Sequence, residues 1–137
     1  MSPDPLLGST NNPYPVTVTA DIDGNNNPYF IYHGPHGKSM HSPLVIPAAE
    51  PPYDSIRFTQ TGHTSQLRFW AAATHTLNGS SPVPQGDNLL LAVGGSLAIT
   101  VNCGTWRGTV LIFEQLDEKG TVVNLVATPD PMTQNDG

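Results

Sequence analysis

Apolar residues recur at alternate positions along most of this chain, and no ten-residue stretch carries a helical spacing. In residues 14–21, Val16, Val18 and Ala20 alternate with Thr17, Thr19 and Asp21, the period of two of a half-buried strand. A turn at 23–27 leads to the aromatic segment 29–33. Residues 44–46 form a short apolar run closed by Pro47. Ile56, Phe58 and Gln60 alternate next, and then Leu67, Phe69 and Ala71 point inward with Arg68 and Trp70 outward. Residues 77–88 read as a long loop or a sheet-to-sheet crossover. Residues 89–93 and the alternation Leu97, Ile99, Val101 flank a Gly94-Gly95 break and give two more strands. The chain closes on residues 105–131, where two β-branched runs flank a charged turn ending in Gly120. This hairpin is the expected centre of the fold, with Val110, Ile112, Val123 and Leu125 buried. Counting outward from a turn at Glu118 and Lys119 pairs Phe113 with Asn124 and Arg107 with Asp130. The sum is an all-β fold, an antiparallel immunoglobulin-like β-sandwich of eight or nine strands. Residues 1–13 read as a flexible tail, 14–131 as the sandwich, and 132–137 as a polar carboxy-terminal tail.

Composition agrees with many short strands joined by punctuated turns. The 137 residues include fourteen prolines and thirteen glycines, and only 12% are charged. That length buries a core in one domain. A net charge of −6 with five Lys plus Arg excludes nucleic acid, whose phosphates need clustered cations, and disfavours an anionic membrane surface. The amino-terminal segment has no basic region followed by an apolar core, so it does not read as a secretory signal. The lone Cys103 allows no internal disulfide, which points to a reducing, cytoplasmic setting.

Candidate chemistry is sparse. Asp21, Asp23 and Asn25 lack the spacing and distal glutamate of a calcium loop and read as a hairpin turn. His33, His36 and His41 lie on a glycine-rich loop without a carboxylate or thiol to complete a metal site, so no metal or cofactor is expected. Cys103 has no histidine downstream, which excludes a blue-copper site. Trp70 and Trp106 are the residues a carbohydrate-binding module would use.

The sharper candidate is Asp130-Pro131. An aspartate carboxylate can attack its own main-chain carbonyl and close a five-membered anhydride, expelling the proline nitrogen as an amine once it is protonated. The tertiary amide before proline has a weakened trans preference and twists more easily. Asp130 is expected to act through its own carboxyl or through a water it activates, with Pro131 the leaving residue and Arg107 the charge beside them. His33, His63 and His75 are the protonatable groups available to the leaving nitrogen. Asp4-Pro5 in the amino-terminal tail serves as an internal control.

Three segments carry a resemblance. Val16-Thr17-Val18-Thr19, the aromatic pair Tyr29-Phe30, and Leu125-Val126-Ala127-Thr128-Pro129-Asp130-Pro131 are similar to the ends of the small bacterial DP-EP family. The resemblance covers roughly a third of the chain. It implies a β-sandwich that cuts itself at the carboxy-terminal Asp-Pro bond as an aspartic-type endopeptidase, acting on itself, with a homo-oligomer possible and Pro131 heading the released tail. The family pattern has an Asp-Pro or Glu-Pro pair after the cut, where this chain has Met132-Thr133-Gln134. The resemblance also implies a lysine beside the aspartate. Of Lys38 and Lys119, the second lies about eleven residues from Asp130, some ~35 Å along a strand, so hydrolysis is expected in place of an isopeptide. The competing expectation is a non-enzymatic module binding carbohydrate or protein.

Overall fold

Alternation becomes burial along the first strand, where Tyr14, Val16, Val18 and Ala20 are all inside. The structure, a computed structural model, describes residues 12–41, 44–61, 66–76, 88–101, 104, 106–128 and 132–135, and of 75, 76, 88, 107 and 132 the backbone alone. Among them are eleven strands: β1 (Pro13–Ile22), β2 (Pro28–His33), β3 (Ser39–Met40), β4 (Leu44–Ile46), β5 (Ser55–Thr61), β6 (Leu67–Thr76), β7 (Asn88–Leu91), β8 (Ser96–Thr100), β9 (Trp106–Leu116), β10 (Val122–Ala127) and β11 (Met132–Asn135). One turn of 3₁₀ helix (Pro35–Gly37) interrupts them. No helix of the described residues is long and apolar enough to cross a membrane.

The first sheet has the order β3-β2-β1-β5-β8, and the second β4-β11-β9-β6-β7 with β10 also on β9. The two share one core. Phe113 of β9 meets both Phe30 of β2 and Phe69 of β6 at 5.3 Å between ring centroids. Gln60 of β5 ties the sheets with its side-chain amide, which donates to the Leu67 carbonyl of β6 and accepts the Phe69 N–H at 2.7 Å. Two pairs are parallel, β1 with β5 and β4 with β11, which corrects the expectation of a wholly antiparallel arrangement.

Two hairpin loops are built alike. In the loop 23–27, the Asp23 carboxylate accepts the N–H groups of Asn25 and Asn27, each at 2.9 Å. In the loop 117–121, Asp117 does the same for Lys119 at 2.8 Å and Thr121 at 2.9 Å. The fourth residue of each has positive φ, 63° at Asn26 and 80° at Gly120, a conformation that suits these two residue types. The first loop is therefore the hairpin turn its sequence suggested, with its aspartate occupied by backbone.

The central hairpin runs over β9 and β10, but its facing is the reverse of the sequence expectation. Leu111 and Phe113 are buried with Thr109, whereas Val110 and Ile112 are half-buried. Val123 and Leu125 are 58% and 52% exposed. The β9 run is apolar at four consecutive positions, so periodicity could not choose its inner face, and in β10 a bulge between Val122 and Asn124 breaks the alternation. Register is corrected too. Phe113 pairs with Val126, and Arg107 with Thr133. The turn count assumed a two-residue centre. The loop in fact spans five residues, closed by Asp117 N–H to the Thr121 carbonyl at 2.9 Å, and a bulge intervenes between Val122 and Asn124.

The polar segment read as a tail is corrected in the same way. Residues Met132–Asn135 are β11, inserted between β4 and β9. The amino-terminal residues 1–11, most of the loop 77–88, and Cys103 lie outside the described residues.

Candidate functional site

One edge of β9 pairs with β6; the other is divided between two strands. β10 takes Ile112 to Leu116, and β11 takes Trp106 to Gly108. Between them the chain leaves the ladder at Thr128. Its N–H donates to the Leu111 carbonyl at 2.8 Å, but the Leu111 N–H donates to the Thr128 side-chain hydroxyl at 2.9 Å. The hydroxyl thus takes the place of the main-chain carbonyl, which an unbroken antiparallel pair would offer. Pairing resumes where Met132 faces Gly108. From Ala127 to Met132 is five residues, against four from Ile112 to Gly108, so one extra residue is accommodated. Asp130 and Pro131 belong to that interval and lie outside the described residues.

Thr128 is 4% exposed and sits under Tyr32 of the other sheet. Burial raises the Tyr32 pKa, and the Thr128 hydroxyl beside it opposes that rise. The Tyr32 hydroxyl itself is buried without a hydrogen bond of good geometry, so the contact with Thr128 is a close approach, not a formed bond. A buried tyrosine hydroxyl thus approaches Thr128, the residue two before Asp130 in sequence. Sequence reasoning missed Tyr32. Its strand was legible, but nothing in the residue order showed that Tyr32 of β2 would approach Thr128.

The other sequence candidates scatter. Arg107 is placed by its backbone opposite Thr133 on one side and Thr76 on the other, three residues out of the expected register with Asp130. His75 pairs with Gly108, which pairs in turn with Met132, so these three share one row across the second sheet. His33 lies in the first sheet, opposite Thr17. His63 and Asp4-Pro5 fall outside the described residues. Lys38 and Lys119 are exposed, the latter in the loop 117–121.

Among the described residues no three His, Cys, Asp or Glu side chains gather closely enough to hold a metal ion. Trp106 is 42% exposed and Trp70 half-buried beside a bulge in β6. A cleft of about 510 Å³ beside the loop 117–121 is lined by Gln66, Leu116, Asp117, Glu118 and Lys119. Its Asp117 carboxylate is already engaged by loop N–H groups. No protein-family model matches the chain, and no curated protein matches it either.

Proposed function

We propose that this chain is a self-cleaving β-sandwich protein, immunoglobulin-like in layout and related to the DP-EP family, which hydrolyses its own Asp130-Pro131 bond. The observation carrying the reading is the pair of anchors around that bond: Thr128 is fixed to Leu111 on one side and Met132 to Gly108 on the other. Fixing both ends while one extra residue is accommodated between them restricts the chain where an intramolecular attack needs a near-attack geometry. The Asp130 carboxylate oxygen bonds to the Asp130 carbonyl carbon, closing a five-membered ring as a tetrahedral intermediate. Its carbon–nitrogen bond then breaks, giving the cyclic anhydride, and the Pro131 nitrogen leaves with a proton. Water opens the anhydride, leaving Asp130 with two carboxyl groups, so the net reaction consumes one water. His75 is the proton donor favoured by its row with Gly108 and Met132. Arg107 supplies positive charge along the same strand, and its register with Thr133 makes it an electrostatic helper more than a direct partner. A reducing cytoplasm fits the single cysteine of the chain.

Denaturing intact-mass spectrometry of aged protein tests this. Fragments 1–130 and 131–137 should accumulate in the parent and be absent in Asp130→Ala, while Asp4-Pro5 stays whole. Equal, negligible cutting at both Asp-Pro bonds overturns it. The second reading, a binding or self-assembling module, is favoured by exposed Val122, Val123 and Leu125 on β10 and Leu89 and Leu91 on the edge strand β7.

A further inference from the structure

The geometry points to β11 being a bound peptide: the cleft between β4 and β9 is a strand-binding site whose ligand is an extended polar segment with threonine and asparagine two residues apart. Its occupant is the chain's own carboxy-terminal segment, held without need of the covalent link through residues 129–131. β11 is paired on both edges, with Thr133, Gln134 and Asn135 parallel to Leu44, Val45 and Ile46, and with Met132, Thr133 and Gln134 antiparallel to Gly108, Arg107 and Trp106. Main-chain pairing on two sides supplies affinity, and alternate side chains entering pockets supply selectivity, as when a peptide adds a strand to a sheet.

The inward side chains are polar. Thr133 and Asn135 are 0% and 1% exposed. The Asn135 side-chain amide donates to two carbonyls from separate segments, Tyr53 at 2.8 Å and Val101 at 2.7 Å, and the Asn135 carbonyl accepts the Gly104 N–H at 2.8 Å. Leucine would fill that volume but donate to neither carbonyl, so the pocket selects an amide. Among the described strands β4 pairs with β11 alone, so the same segment holds Leu44 and Ile46, both fully buried, in the core.

The inference does not depend on self-cleavage. If the Asp130-Pro131 bond is cut, the product is a nicked protein that keeps its tail, in contrast to the released tail of the sequence expectation.

The test is independent of the chain's own chemistry. A site-specific protease sequence is inserted between Pro131 and Met132 of the full-length chain, which is then nicked without denaturant. Native mass spectrometry should show body and tail together at one to one, and denaturing spectra should show them apart. In the same nicked chain carrying Asn135→Ala the tail should leave about 30-fold faster, the factor for two buried hydrogen bonds. Immediate loss of the tail from a body that stays folded, or no acceleration in Asn135→Ala, overturns the inference. A second measurement avoids the insertion: synthetic peptide 132–137 should raise the melting temperature of full-length Asn135→Ala, and the peptide carrying the same alanine should not. Equal effects of the two peptides also overturn it.

Discussion

Two leucines on the central hairpin, alike in chemistry and opposite in burial, decide which face of that hairpin is inside. Leu111 on β9 is 0% exposed, and Leu125 on β10 is 52% exposed. Leu111→Ala removes buried methyl groups from the core that also holds Phe69 and Phe113, and large-to-small changes at such sites cost about 2–5 kcal/mol. Leu125→Ala removes groups that water already reaches over half their surface. Roughly half of the transfer term is then at stake and no closed cavity forms, for a cost of about 1 kcal/mol or less.

Urea unfolding reads both. With a slope of about 2 kcal/mol per molar, Leu111→Ala at ~3 kcal/mol lowers the midpoint by about 1.5 M, and Leu125→Ala by no more than about 0.5 M. The slopes should match the parent, since neither change alters the surface exposed on unfolding. Equal losses, or a larger loss at Leu125, would mean that the sequence expectation for this hairpin was right and the facing described here is inverted.

Thr128→Val should cost about 1–3 kcal/mol, because it strands the buried Leu111 N–H without its acceptor, whereas Thr128→Ser keeps the hydroxyl and should recover most of that loss. Stability should also fall at high pH. Burial holds Tyr32 above the ordinary value of 10.0, and burial with the nearby Tyr53 does the same for Tyr14, so in both the folded pKa is the higher. Their contribution is complete below pH 10.0 and is lost as pH rises from there through the folded values, by at most about 1.4 kcal/mol per pH unit per tyrosine; Tyr32→Phe should flatten that decline in an alkaline denaturation series.

Strand positions were legible where apolar and polar residues strictly alternate. Val16, Val18 and Ala20 are inside as their spacing required, and so are Ile56 with Phe58, Leu67 with Phe69 and Ala71, and Leu97 with Ile99 and Val101. Legibility ended where several apolar residues stand in succession, as in Val110 to Phe113, because either parity then satisfies the pattern, and in residues 122–126 a bulge between Val122 and Asn124 breaks the alternation. It ended again at the turn. A five-residue loop and a bulge each shift the ladder by one, and the interval 128–131 shifts it once more, moving the partner of Arg107 from Asp130 to Thr133. For the candidate site the sequence supplied the candidate bond, but not the approach of Tyr32 to Thr128 or the row of His75, Gly108 and Met132. These depend on which strands become neighbours, and sheet order is not written in any local spacing.

β11 shows why hydrophobicity alone misplaced the end of the chain. Met132-Thr133-Gln134-Asn135 carries no apolar alternation, so a reading based on burial of hydrocarbon leaves it in solvent. Its position is instead specified by hydrogen bonds that only certain side chains can make: the Asn135 amide has carbonyl partners converging from two segments, and the ladder is occupied on both edges. Such contacts contribute little net energy each, but an incorrect occupant leaves buried groups unpaired, and that penalty is the larger quantity. Polar burial therefore sets register and identity here, where apolar burial would have set affinity without choosing between positions. A bond cut upstream removes none of these contacts. If the chain hydrolyses itself as proposed, cutting and departure of the tail are then separate events, and the second is set by the pocket around Asn135.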